Sequence, residues 1–142
     1  MTDRLRDHRP PVATSPRPHR EITWAGRILA VVGGGHLTLG LLFSAPHLGD
    51  WLTLGLWGSW WEDTDSASAF WGNPAGFGLP LLLVGLLVGW MDRRGIVPPV
   101  FLAWTVLGWG GAVAYIVEPT PGPLVVIAAL MLLRGIRNVR PT

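Results

Sequence analysis

The sequence predicts an all-α protein, an integral membrane bundle of four transmembrane helices with a short interfacial helix on the outer side. Charged residues make up only 14% of the chain and apolar residues 49%, whereas soluble domains contain roughly 25% charged residues. Long apolar stretches alternate with short polar segments. All eleven basic residues are arginines, and they lie only near the chain ends and between apolar stretches.

The first segment, residues 1–27, is a polar arm. It holds six arginines and four prolines and few side chains that can build a core, so we expect a disordered cytoplasmic arm. Residues 28–142 are then expected to form the transmembrane domain. Its first span is residues 28–45, an uncharged stretch of 18 residues that makes about 27 Å of helix. A cleaved signal peptide is disfavoured, because Phe43 occupies the position where cleavage after Ala45 needs a small residue.

The next segment predicts a short helix in the outer interface. Apolar residues recur there at intervals of three and four and are followed by acidic residues, a pattern typical of a helix lying at the membrane surface. Tryptophan suits this level because its ring is apolar and its N–H stays hydrated. The recurring residues are Leu48, Trp51, Leu52, Leu56 and Trp60.

The second span is predicted at about residues 70–91, with a kink at Pro80. After a polar turn, Pro98 and Pro99 suit the first turn of a third span, at about 99–117.

The fourth span is predicted at about residues 121–139. Its apolar stretch, residues 123–133, is too short to cross a bilayer alone. The helix crosses if it continues to Val139 while Arg134 and Arg137 extend their guanidinium groups to the headgroups. A re-entrant hairpin is the alternative.

The arginines also predict the orientation. Segments 1–27, 92–97 and 134–142 contain all eleven, and segments 46–69 and 118–122 contain none. Because cytoplasmic loops are enriched in basic residues, the chain is expected to be a multi-pass protein of the cell membrane with both termini in the cytoplasm.

Small residues four positions apart predict close helix packing within the bundle or in a homo-oligomer. They are Ala30, Gly34 and Thr38 in the first span, Gly85 and Gly89 in the second, and Gly108 and Ala112 in the third.

His36 is the main candidate site residue, since an ionisable group near the bilayer centre is costly and often functional. Its imidazole either donates a structural hydrogen bond, to a backbone carbonyl or Thr105, or serves as a ligand or proton site. Trp109 lies near the midplane and needs an acceptor for its indole N–H, which His36 can supply. Glu118, with His47 and Asn73, marks either a polar vestibule or the ordinary solvated ends of spans.

Several chemistries are disfavoured, so no cofactor or metal is expected. The chain has no cysteine, which excludes thiolate metal sites. Gly33, Gly34 and Gly35 are not followed by the lysine of a phosphate-binding loop. His36 and His47 are roughly 16 Å apart along one helix and cannot share a haem iron. No basic helix suited to nucleic acid is visible, and no hydrolase motif occurs.

Short motifs connect the chain with a known family. In chain order they are Gly35-His36-Leu37 with Gly40, Gly55-Leu56-Trp57, Phe70-Trp71, Asp92-Arg93-Arg94-Gly95, Pro98-Pro99 and Pro121-Gly122. In these motifs, over about residues 24–137, the chain resembles an uncharacterised family of small bacterial four-helix membrane proteins, domain-of-unknown-function family 6463. The resemblance implies a four-helix architecture and no established activity. The long arm departs from the compact family pattern.

The leading functional hypothesis is a non-enzymatic helical bundle that associates with other membrane components, with the lipid bilayer as its environment. The alternative is a small proton-linked transporter, or a quinone- or haem-binding redox protein, that uses His36.

Overall fold

The computed structural model describes residues 19–59, 61–117 and 120–139, and within these ranges the chain is all-helical, as predicted. The arm residues 1–18 lie outside the described residues. The helices are α1 Arg20–Phe43, α2 Leu48–Leu52, α3 Thr64–Gly72, α4 Gly78–Arg93, α5 Val100–Ile116 and α6 Gly122–Val139, with a 3₁₀ turn at Ala45–His47.

The four long helices, α1, α4, α5 and α6, run alternately in opposite directions. Helix α1 lies between α4 and α6, and α5 packs against α6. Ile22 near the start of α1 meets Gly135 near the end of α6, and Ala114 near the end of α5 meets Gly122 at the start of α6. The start of α1, the end of α4, the start of α5 and the end of α6 therefore lie together.

Two apolar clusters fill the space between these helices. The cluster nearer the start of α1 contains Ile22, Ala25, Val88, Ala103, Leu132, Leu133 and Ile136. The other contains Leu29, Val32, Leu81, Val106, Val125, Ala128 and Ala129. Each of the four long helices contributes side chains to both clusters. Burial of these side chains therefore holds the four helices against one another.

The topology brings the described arginines to one end of the bundle. We call one end the arginine end, defined by Arg20, Arg27, Arg93, Arg94, Arg134 and Arg137. The opposite end, the tryptophan end, is defined by Trp51, Trp57, Trp61 and Trp71.

Glycines set the close contact between α1 and α4. A Cβ added to Gly33 would lie 2.3 Å from the backbone nitrogen of Leu82, and one added to Gly85 would lie 2.3 Å from the backbone nitrogen of Ala30. Real Cβ atoms do not come so close to backbone. Only glycine therefore allows the two backbones to meet at these positions.

Helix α1 begins at Arg20, eight residues before the predicted first span, so residues 20–27 of the arm expected to be disordered are helical. Ile22 and Ala25 are buried in the core while Arg27 points outward. Glu21 forms an ion pair with Arg134, with 3.0 Å between Glu21 Oε1 and Arg134 Nε. An amphipathic first turn, which an uncharged-stretch criterion misses, thus extends the helix by two turns.

The predicted second span, residues 70–91, is also displaced. Residues 70–72 belong to α3, and α4 begins only at Gly78. Pro80 is consequently the third residue of α4, where its missing N–H removes no intrahelical hydrogen bond. The kink predicted at Pro80 therefore has no cause.

The interfacial helix is shorter than predicted. Helix α2 ends at Leu52, and positive φ values at Leu54 (61°) and Gly58 (80°) turn the chain away from a helix. Trp60 lies outside the described residues.

Helices α5 and α6 lie within the predicted spans 99–117 and 121–139. Helix α6 is one continuous helix of 18 residues. The structure therefore has no re-entrant hairpin between Gly122 and Val139. Among the described helices, α1 and α6 are long and apolar enough to cross a membrane, and α5 is a shorter apolar helix.

Candidate functional site

His36 lies at the point where α1 faces the beginning of α4. Gly78 makes room for it, because a Cβ at Gly78 would lie 3.0 Å from the Cδ2 atom of His36. The imidazole lies 3.9 Å from the ring of Phe77, centroid to centroid. Phe77 in turn lies 5.2 Å from the ring of Trp109 on α5. We call these three side chains the ring column; it connects α1, the residue preceding α4 and α5.

The hydrogen bonds predicted for His36 are wrong. The hydroxyl of Thr105 donates to the carbonyl of Phe101 in its own helix at 2.9 Å, and Phe77 separates His36 from Trp109. The buried Nε2 of His36 has no hydrogen-bond partner among the described residues. A buried polar atom in this state costs about 1–3 kcal/mol.

A cleft of about 390 Å³ runs between α4 and α5 beside the ring column. Phe77, Leu81, Val84 and Trp109 line it, and α4 and α5 do not pack closely along their length. Its walls are almost entirely apolar, so the cleft is suited to an acyl chain or an apolar side chain and offers little for a charged substrate.

Glu118, His47 and Asn73 were considered as either a polar vestibule or the solvated ends of spans, and the structure describes two of the three. Glu118 lies outside the described residues. Asn73 donates to the hydroxyl of Ser44 at 2.9 Å and closes the junction between α1 and the α3–α4 connection. His47 stacks on Trp51 at 6.3 Å. Thr38 is exposed and donates to the carbonyl of Gly34 in its own helix at 2.8 Å.

The predicted packing residues separate into two groups. Ala30 and Gly85 meet at the α1/α4 contact, and a Cβ added to Gly34 would lie 3.7 Å from a Leu82 methyl group, an ordinary contact. A Cβ added to Gly89 would meet nothing within 4 Å.

On α5, a Cβ added to Gly108 would also meet nothing within 4 Å, and Ala112 is exposed. The Gly33-Gly34-Gly35 run was assigned to helix packing, whereas Gly26 and Gly78 received no role from the sequence; Gly26, Gly33 and Gly78 all make tight contacts. Their signal was a spacing of seven residues, as in Gly26-Gly33 and Gly78-Gly85, rather than four.

The arginine end is held by polar contacts. The buried carboxylate of Asp92, only 3% exposed, accepts hydrogen bonds from the backbone N–H of His19 at 2.9 Å and from the hydroxyl of Thr23. It thereby satisfies one of the free backbone N–H groups at the start of α1, that of His19, and its negative charge lies at the positive end of the helix dipole. Asn138 donates to Glu21 at 2.9 Å, next to the Glu21–Arg134 ion pair. These contacts join α1 to α4 and α6.

The tryptophan end contains a second cavity, of about 450 Å³. We call it the aromatic pocket, lined by Trp51, Leu54, Leu56, Trp57, Phe70 and Trp71. The sequence placed Trp51 and Trp57 in the interfacial helix segment and Phe70 and Trp71 at the start of the second span. The turns at Leu54 and Gly58, which fold the segment back on α3, carried no clear signal.

The pocket walls meet at nearly right angles. Trp51 and Phe70 lie 5.4 Å apart at 76°, and Phe70 and Trp71 lie 6.0 Å apart at 82°. The indole N–H of Trp51 donates to the hydroxyl of Ser66 at 3.0 Å. Ser66 is fully buried, and its backbone N–H donates to Asp63, the N-cap of α3.

The part of the chain that the structure describes holds no group of three or more residues able to bind a metal ion. The sequence profile described as Family of unknown function (DUF6463) matches residues 20–138. No curated protein and no solved structure shows a significant match to the chain.

Proposed function

The chain belongs to this family of unknown function, DUF6463, and on that premise we propose a multi-pass membrane protein. Its four long helices span the bilayer, both termini are cytoplasmic, and it acts by association with other membrane components rather than by catalysis.

The exposed apolar surface carries this proposal. Large apolar side chains are exposed on each long helix, among them Val31, Leu83, Phe101 and Ile127. A helix at the core of a soluble protein is mostly buried. In α1, by contrast, only 22% of an apolar stretch of 18 residues is buried. Hydrocarbon is the environment in which such a surface has no cost.

The lengths of α4 and α5 are compatible with spanning. Their 16 and 17 residues make about 24–26 Å of helix, against a hydrocarbon core of roughly 30 Å. Local thinning of the bilayer accommodates a mismatch of a few ångströms at modest cost.

The charge distribution supports the orientation. Every described arginine lies at the arginine end, and the connections at the opposite end carry Asp50, Glu62, Asp63 and Asp65. By the positive-inside rule the arginine end is cytoplasmic.

The exposed face of α5 supports association. Thr105, Gly108 and Ala112 lie on this face, and small residues let a second helix approach closely. A transport path needs a succession of polar groups. In contrast, His36 stacks on Phe77, and Thr38 and Thr105 bond to their own helices.

Topology is tested by single-cysteine labelling, which the cysteine-free chain permits. Ser68→Cys, in α3, should react with a membrane-impermeant maleimide in intact cells. Ile96→Cys, between α4 and α5, should react only after permeabilisation, and Val31→Cys, within α1, should react in neither case. Labelling of residues 68 and 96 from the same side would refute the four-span arrangement.

Association is tested by cross-linking in native membranes. Gly108→Leu should lose the cross-linked complexes of the native chain, because it fills the space a partner helix needs. Val31→Leu, a change on the exposed side of α1, is the matched control and should retain them. Equal cross-linking of both variants would contradict the assignment of the α5 face.

A further inference from the structure

We propose that the aromatic pocket binds an organic cation of the quaternary ammonium class. The pocket lies outside the four long helices, so this inference does not rest on the proposed association. It follows from the pocket's walls, its hydrogen-bonding capacity, its charge and its size.

Four aromatic rings line one volume, those of Trp51, Trp57, Phe70 and Trp71. Trp51 and Trp71 both stand at nearly right angles to Phe70, and Trp57 adds a further indole. The face of an aromatic ring carries partial negative charge, and several rings around one site are a known means of binding quaternary ammonium groups. The pocket therefore surrounds a bound cation with four aromatic rings.

The pocket is poorly suited to a ligand that binds by hydrogen bonds. The indole N–H of Trp51, its most enclosed tryptophan, is already donated to Ser66. Leu54 and Leu56 complete the lining with purely apolar groups. A quaternary ammonium has no N–H to satisfy, so it loses little on leaving water for such walls.

The charge of the surrounding segment selects a cation. Residues 45–77 contain four carboxylates and no arginine or lysine, and all four carboxylates are exposed. A surface of one sign raises the local concentration of ligands of the opposite sign. Anionic ligands are disfavoured by the same field.

The volume fits a small ligand. About 450 Å³ lies within the ~300–1,000 Å³ of ordinary small-molecule sites. The quaternary ammonium can come from a phosphatidylcholine headgroup or from a free cation, and the two share the recognised group.

Calorimetric titration of the purified full chain in maltoside detergent tests the proposal. Choline is compared with its neutral carbon analogue, in which a carbon atom replaces the nitrogen. Choline should bind at least about tenfold more tightly, since the two differ only in charge. Equal affinities would show an apolar pocket without cation selectivity and would overturn the proposal, as would absence of choline binding.

Two variants assign the binding to the pocket. Trp57 and Trp71 are 85% and 63% exposed, so Trp57→Leu and Trp71→Leu should fold and weaken choline binding about tenfold. Trp104→Leu, on α5 at 53% exposure, is the matched control and should bind like the native chain. Thermal unfolding curves check that all three variants fold. Native affinity in both pocket variants would overturn the assignment.

The source of the cation is resolved in nanodiscs. If choline binds more weakly in phosphatidylcholine discs than in phosphatidylethanolamine discs, which have the same net charge and therefore attract free cations equally, the phosphatidylcholine headgroup competes for the pocket and is its ligand. Equal affinity in the two lipids identifies a free cation as the ligand. Both results presuppose that choline binds in the aromatic pocket, so they distinguish the source of the cation and not the existence of the site.

Discussion

Replacement of Gly33 by alanine tests the close contact between α1 and α4. The added Cβ would lie 2.3 Å from the nitrogen of Leu82 and 2.8 Å from the carbonyl oxygen of Gly78. Ordinary contacts begin at 3.4 Å, so the two backbones must separate by about 1 Å. Both neighbouring atoms belong to backbone, and no side-chain rotation can relieve the overlap.

The expected cost of Gly33→Ala is about 1–3 kcal/mol, the range for overpacking a well-packed interior. The matched control is Gly35→Ala, two residues along the same helix, where the added Cβ meets nothing within 4 Å. At this open position alanine should be neutral or stabilising by up to about 1 kcal/mol through its higher helix propensity.

The assay is equilibrium unfolding of the two variants in mixed detergent micelles, followed by circular dichroism. Gly33→Ala should shift the midpoint toward lower denaturant and Gly35→Ala should not. If Gly33→Ala is as stable as the native chain, the reasoning from backbone approach is refuted. If both variants lose stability equally, the cost does not come from the contact with α4.

Three further substitutions have defined expectations in the same unfolding assay. Asp92→Ala removes the acceptor for His19 and Thr23 and should cost about 1–3 kcal/mol, whereas Asp50→Ala, at an exposed carboxylate, should change little; equal effects would contradict the capping role. Arg134→Ala breaks an ion pair whose arginine is 78% exposed, so stability should stay within about 1 kcal/mol of native; a larger loss would show a buried pair. His36→Phe removes the unpartnered Nε2 and should preserve or raise stability; a loss of more than about 1 kcal/mol would contradict a net cost from the unpartnered nitrogen.

The sequence predicted the helices whose ends carry strong local signals. Pro99 directly precedes α5, and Pro121 directly precedes Gly122, the first residue of α6; both helices lie within their predicted spans. Prolines before a helix restrict the backbone whatever the tertiary context, so such boundaries are readable from the chain alone.

The start of α1 was not predictable from an uncharged stretch. Its first two turns carry Arg20, Glu21 and Arg27, and they are helical because Ile22 is buried against α6 and Asp92 caps the first turn. Both contacts come from residues far along the chain. Local composition does not encode them.

The candidate site shows the same division. The position of His36 on α1 beside glycine-rich contacts followed from the sequence, but its neighbours did not. Phe77 received no role because it was assigned to the interior of a span, whereas the break before α4 places it directly on the imidazole. A shift in one helix boundary thus changed which ring meets His36.

The hydrogen bonds of Asp92 have a consequence for the order of assembly. Asp92 and the backbone N–H it accepts from are 73 residues apart, so during synthesis the first turn of α1 is complete only after the whole of α4 has been made. Until then the N–H of His19 lacks its acceptor, and the glycine positions of α1 that contact α4 have no helix packed against them. The α1–α4 hairpin should therefore form as the first stable unit, and α5 and α6 should assemble on it afterwards.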